Sequence, residues 1–172
     1  MFGAQDRDAL IEAQVPALRR FARSLCHAPD AADDLVQDCL EQALGAWPRR
    51  RAEADLRAWL FTILYNLFVS DRRRTARRGR LLAAQGTPQD ATPQGQEAAV
   101  HCAEVLAQLD ALPADQRAVL CLIAVEDLGY EQAARVLGVP VGTVMSRLSR
   151  ARERLRQMAE ARPARPALRR VV

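Results

Sequence analysis

The stretch Leu128 to Arg156, LGYEQAARVLGVPVGTVMSRLSRARERLR, leaves this chain few ways to fold. Glu131 to Leu137 carries Ala133, Ala134, Val136 and Leu137, enough for one buried helical face. Gly138 ends that helix, because glycine enters the left-handed region a C-terminal cap needs at no steric cost. Pro140 cannot continue a helix but can sit at the opening of the next. From Val141 the apolar positions are Val141, Val144, Leu148, Ala151 and Leu155, in steps of three and four that share one side. Arg147, Arg150, Arg152, Arg154 and Arg156 fill much of the remaining surface. Gly142, Thr143 and Ser146 are small, and they lie where a helix entering a groove must come close to base edges. The pattern predicts a helix-turn-helix with a basic second helix, and its turn and arginines point to DNA. The plainer alternative is a helical hairpin with a solvated basic face.

The charge along the chain sharpens that reading. Across 172 residues the net charge is only +4, and all 25 basic residues are arginine. Arginine presents a planar fork suited to phosphate and guanine, although genomic base composition alone can remove lysine. The charge is unevenly placed: −4 over residues 1–48, +7 over 49–80, −6 over 81–129 and +7 over 130–172. Two basic blocks separated by acidic ones suggest two contacts with a polyanion and acidic surface left for something else.

Four cysteines occur, with no C-x-x-C pair. Cys26, Cys39 and Cys121 lie among apolar residues and read as small buried hydrophobes. His27 follows Cys26 and His101 precedes Cys102, but no second ligand stands at zinc-finger spacing, so no metal or other cofactor is expected. No apolar run is long enough to span a membrane, and the N-terminus lacks a secretory pattern. A reducing cytoplasm is the expected location.

Taken in order, the first helix is expected from about Asp6 to Leu25, with Leu10, Ile11, Val15, Leu18, Phe21, Ala22 and Leu25 as its stripe and Pro16 kinking or dividing it. A second opens at Asp30, a candidate cap reinforced by Asp33. Leu35, Val36, Cys39, Leu40, Ala43 and Leu44 form its inner face, and Asp33, Asp34, Gln37, Asp38 and Glu41 its acidic outer face. Trp47-Pro48 ends it, and Arg49 to Asp55 is a charged loop. Asp55 caps a third helix, Leu56 to about Arg78, with the stripe Leu56, Trp59, Leu60, Ile63, Leu64, Leu67 and Phe68. Asn66, Ser70 and Asp71 are interleaved with it, followed by Arg72, Arg73, Arg74, Arg77 and Arg78. Such arginines suit a helix C-terminus, and beside an asparagine able to read adenine they also suit nucleic acid. Gly79 to Gly95 has little periodicity and reads as a flexible linker. A fourth helix spans about Gln94 to Leu109, a fifth begins at Pro113, and the helix-turn-helix follows. The tail after Met158, rich in proline and arginine, reads as disordered.

In this order and at these separations, four motifs make the chain resemble the extracytoplasmic-function sigma factors of bacterial RNA polymerase, a group of the sigma-70 family. They are DDLVQD at Asp33 to Asp38, WLFTILYNLFVSDRRR at Trp59 to Arg74, LDALPADQRAVL at Leu109 to Leu120, and the helix-turn-helix. The resemblance implies an all-α fold of two small helical domains on a flexible linker. A sigma region 2-like domain would span 6–78, the linker 79–95, a region 4-like domain 96–160 and a disordered tail 161–172. It implies that Asp33, Asp34, Leu35, Gln37 and Asp38 dock on the clamp helices of the polymerase β′ subunit. The loop Arg49 to Asp55 would capture an unpaired base as the promoter opens. Asn66, Asp71, Arg72, Arg73 and Arg74 would contact the −10 element, and Val141, Gly142, Thr143, Ser146, Arg147, Arg150 and Arg154 the −35 element. The expected partners are core RNA polymerase, promoter DNA and an anti-sigma factor, and the chain is expected not to be an enzyme. Two departures stand out: Gly129 occupies a place where such proteins often have a serine cap, and Cys39 and Cys121 lie outside the family pattern. Two further readings remain: a sigma-like decoy that sequesters an anti-sigma protein, and a stand-alone helix-turn-helix regulator that would leave the first basic block unexplained.

Overall fold

The computed structural model describes residues 4–26, 28–50, 55–83, 109 and 111–160, and the described elements are helical. Pro16 divides the first expected helix into α1, Ala4–Glu12, and α2, Val15–Leu25. Ile11 is buried, but Leu10 is 41% exposed and leaves the inner stripe. The break at residues 13 and 14 resets the helical phase, so one stripe cannot run through both pieces.

α3 is Pro29–Ala46. It begins one residue before the expected Asp30, and neither Asp30 nor Asp33 caps it. Extended Ala28 is the N-cap and makes no side-chain bond, while Pro29 opens the helix. Proline suits that place because its fixed φ is already helical and its missing N–H would have had no partner there. Leu44, expected inside, is 41% exposed, and Ala43 takes the buried place beside it. A 3-10 turn, Trp47–Arg49, finishes the helix.

α4 is Leu56–Ala83. Asp55 caps it as expected, its Oδ1 accepting from the backbone N–H of Arg57 at 2.9 Å and of Ala58 at 3.3 Å. The helix runs through Gly79, so residues 79–83 belong to it rather than to the linker. One glycine costs about 1 kcal/mol in a helix, and the flanking Arg, Leu and Ala residues favour continuation. The rest of the linker, most of the helix expected over Gln94 to Leu109, and the tail lie outside the described residues.

Pro113 caps α5, Ala114–Leu120, which loosens into a π-helical turn at Cys121–Val125. α6 is Tyr130–Leu137, and Gly138 follows in the left-handed conformation with φ 63°. α7 is Val141–Glu160. At the start of α6, Gln132 Oε1 accepts from the Gly129 N–H at 3.0 Å. That is half of a capping box; glycine has no side chain to return the bond.

The two halves pack on one another. α2, α3 and α4 form one three-helix unit and α5, α6 and α7 another, and α4 also packs along α6 and α2 along α5. The buried apolar residues make one continuous cluster, from Leu18, Phe21 and Leu64 to Val119, Leu122, Val136 and Leu148. Two tethered domains were expected, and the closure between them was not.

Candidate nucleic-acid interface

The outer face of α3 is acidic and exposed: Asp33, Asp34, Gln37, Asp38 and Glu41 all face solvent. Gln37 Nε2 donates to Glu41 Oε1 at 3.1 Å, and Arg19 approaches Asp33 at 3.9 Å. No described basic side chain pairs with Asp34 or Asp38. Leu35 is 8% exposed and belongs to the core, so it supports this face from beneath and does not form part of it.

Two tryptophans pin the ends of the following loop. Trp47 and Trp59 meet edge to face with centroids 6.2 Å apart. The Arg50 guanidinium lies 4.9 Å from the Trp47 ring and 5.9 Å from the Trp59 ring, within cation–π range. Residues 51–54 of that loop lie outside the described residues.

Along the outer half of α4, Asn66, Asp71, Arg72, Arg73 and Arg74 are all exposed, as is Arg77. The sequence reading missed what lies beside them. Tyr65, Phe68 and Val69 line an open groove of about 580 Å³, with Arg72, Arg73 and Arg77 on its rim and Asp115 of α5 opposite. Arg72 stacks over Phe68 at 5.7 Å, and the Tyr65 and Phe68 rings lie 6.4 Å apart. Aromatic rings beside arginines form a platform on which bases stack whatever their sequence. The available signal was the three-residue step from Tyr65 to Phe68, which places both rings on the side that Arg72 continues.

On α7, Val144, Leu148 and Ala151 are buried and hold the helix to the body. Gly142, Met145, Ser146 and Ser149 are exposed on the opposite side, flanked by exposed Arg150 and Arg154. Ser146 spends its hydroxyl on the Thr143 carbonyl at 3.0 Å. Val141 and Thr143 are half-buried. Met145, 50% exposed, was not singled out from sequence, although its place off the buried stripe was visible; an apolar side chain there suits a thymine methyl. Arg147 differs from the other arginines. Its Nε lies 3.1 Å from Asp115 Oδ2, and its side chain is only 23% exposed. Burial pushes the nearby Tyr65 hydroxyl up, and the Arg147 charge draws it back down.

The described cysteines are free: Cys39 and Cys121 are buried and Cys26 is half-buried. Burial pushes the Cys39 thiol up to about 12 and the Cys121 thiol up to about 11. A raised thiol pKa favours the folded state below the usual value of 9.0, and that contribution fades as pH climbs towards the folded values. At pH 8 both thiols should therefore resist an electrophile until denaturant is added. Peptide mapping after iodoacetamide treatment checks this, and rapid labelling of either thiol in the native chain would contradict it. Among the described residues no group of three or more His, Cys, Asp or Glu side chains could hold a metal, and no helix is long and apolar enough to cross a membrane.

Residues 11–65 match the family model described as the sigma2 domain of PhyR, and residues 102–155 match sigma-70 region 4. EcfG of Rhodopseudomonas palustris, an ECF RNA polymerase sigma factor, is 44% identical over 151 residues, 87% of this chain and 82% of that one. The chain belongs to the extracytoplasmic-function sigma factors. As a member of that family it directs transcription initiation with RNA polymerase and is not itself an enzyme. The sigma factor SigC of Mycobacterium tuberculosis is 35% identical over 161 residues, covering 91% of this chain and 83% of SigC. Among solved structures, the sigma factor RpoE of Bartonella quintana, in complex with the anti-sigma factor NepR, aligns with a TM-score of 0.78 at 35% identity. That alignment covers 93% of this sigma factor and all of RpoE. The acidic α3 and α4 as far as Tyr65 fall within the matched sigma2 residues, and the helix-turn-helix within the matched region 4 residues.

Proposed function

We infer that this sigma factor works as a two-point reader of promoters carried on core polymerase. A region 2 unit over 6–78 and a region 4 unit over 96–160 divide the labour, with 79–95 between them and 161–172 beyond. The exposed acidic residues Asp33, Asp34, Gln37 and Asp38 dock on the clamp helices of the β′ subunit. Asn66, Asp71, Arg72, Arg73 and Arg74 contact the −10 element, with the Tyr65 and Phe68 groove beside them as a stacking platform for the opened strand. The loop from Arg49 to Asp55, its ends pinned by Trp47 and Trp59, captures an unpaired base. α7 enters the major groove of the −35 element through Gly142, Thr143, Ser146, Arg147, Arg150 and Arg154, with Val141 seating its first turn. An anti-sigma protein is a fitting partner for this chain, as RpoE stands in complex with the anti-sigma factor NepR in the solved structure. Work on promoters puts the chain in the cytoplasm.

One observation carries this reading: the exposed carboxylates of α3 and the exposed arginines of α4 and α7 form separate surfaces of opposite sign. That suits one protein partner and one polyanion. Run-off transcription with purified core polymerase and a pool of promoter fragments tests it, and discrete transcripts are expected. Silence together with tight anti-sigma binding would mark a decoy; duplex binding without polymerase would mark a stand-alone regulator. Reversing charge with Asp34→Arg and Asp38→Arg should weaken association with core polymerase by about tenfold or more, since like charges across an interface cost several kcal/mol. Normal co-purification of that double variant would remove the α3 docking face from the scheme.

A further inference from the structure

The side chain of Glu126, just after the π-helical turn, is fully buried. Its Oε1 accepts from Arg20 Nε at 2.8 Å and its Oε2 from Arg20 Nη2 at 3.0 Å, a bidentate pair. Arg57 donates to the same Oε2 from the first turn of α4 and lies 5.6 Å from the Phe61 ring. Both arginines belong to the region 2 unit and the carboxylate to the region 4 unit, so the bonds cross from one to the other. Two more bonds cross nearby: Gln132 Nε2 donates to Asp55 Oδ2 at 2.9 Å, and Arg117 donates to the Leu25 carbonyl at 3.3 Å.

This closed arrangement cannot hold both promoter elements. By their numbering the −10 and −35 elements are about 25 base pairs apart, roughly 85 Å along B-form DNA at ~3.4 Å per pair. A compact chain of this length has a radius of gyration of about 16 Å. The two candidate DNA faces also lie side by side, because Arg147 of α7 is held by Asp115, which lines the same groove as Tyr65, Phe68 and Arg72 of α4. A residue expected to read the −35 element is thereby held beside the −10 groove.

We propose that Glu126, clasped by Arg20 and Arg57, is an interdomain latch that keeps the free sigma factor closed, with Arg147 withheld from DNA, until polymerase draws the two units apart. Ion pairs fit this task. A buried pair adds little net stability compared with an apolar one, yet removing one partner is costly, so it fixes an arrangement without making it permanent. The arginines are 52% and 36% exposed in their side chains and hydrate readily once released. Glu126 carries the burial, and it regains water only when the units separate.

The test measures the distance between dyes attached through unnatural amino acids at exposed Glu12 and Gln157 of the full chain. Single-molecule energy transfer should give one short distance for the free protein and a long one with core polymerase. Glu126→Gln, and separately the pair Arg20→Ala and Arg57→Ala, should each raise the open fraction of the free chain at least tenfold. The arginine pair should have the larger effect, because it leaves a bare carboxylate buried in the closed form. Combining all three substitutions should add less than the two effects together, as expected for groups in contact. Should Glu126→Gln impair folding, seen as lost helical circular dichroism, the arginine pair decides alone, since it alters half-exposed side chains. A free wild-type chain that is already open, or folded variants that keep the wild-type distance, would overturn the proposal. Because no DNA enters the measurement, the latch can fail while the promoter reading stands.

Discussion

Replacing Arg147 and Arg150 together by alanine is expected to cut affinity for the upstream promoter element roughly a hundredfold, since each well-placed arginine contact to a base is worth about 1–3 kcal/mol. The two residues lie three apart on α7, flanking the exposed face formed by Gly142, Met145 and Ser146. They should not contribute alike when replaced singly. Arg150 is exposed in the free molecule, whereas Arg147 must first leave Asp115. Its alanine variant therefore loses a DNA contact and also releases the contact that withholds it, and the two effects oppose. Anisotropy with a duplex drawn from an active run-off template gives the affinity. Its salt dependence sorts the contacts: a lost phosphate contact lowers the slope by about 0.9, and a lost base contact reduces discrimination instead. A double variant with undiminished affinity and promoter output would remove α7 as the reading element.

The largest expected effect on stability lies at Phe61. Its side chain is fully buried in α4 and meets Phe21 of α2 edge to face, with centroids 5.2 Å apart. Truncation to alanine should cost about 3–5 kcal/mol, from lost transfer energy and the cavity left behind. For a chain of this size that lowers Tm by roughly 10 °C. The core is continuous between the two units, so the variant should still melt in one step, with both halves losing structure together. Calorimetry checks both points; a Tm within about 2 °C of wild type would mean that the cavity collapses or the ring is not packed as described.

Much of this molecule can be read from single residues whose chemistry acts locally. Pro16 divides the first helix, Asp55 caps α4 and Gly138 takes a positive φ, each for a reason contained within a few neighbours. The periodic stripes of α4 and α7 were legible for the same reason, because one face alternating every three or four residues must be turned inward. Errors came where two local signals competed. Pro29 outranked Asp30 as the start of α3, and good helix formers carried α4 past Gly79. Leu10 and Leu44 show that an apolar residue at the margin of a stripe can sit on either side of it. In the candidate site the exposed arginines were visible, but the Tyr65 and Phe68 groove and the protruding Met145 were not, because Phe68 was read as part of the buried stripe of α4 and neither Tyr65 nor Met145 lies on a stripe or carries a charge. The closure of the two halves was beyond reach for a different reason. Arg20, Arg57 and Glu126 are spread over 106 residues of sequence, and each alone reads as an ordinary surface charge.

The amide of Gln132 and the carboxylate of Asp55, 77 residues apart in the chain, couple two helix starts. Asp55 seats the opening turn of α4 with one oxygen and holds Gln132 with the other, and Gln132 in turn steadies the Gly129 N–H that begins α6. Any loosening at this junction therefore reaches both opening turns at once. The backbone amides of Arg57, Ala58 and Gly129 form a natural trio of hydrogen-exchange reporters. They would quicken in concert, so the molecule carries a built-in gauge of its own opening that needs no label.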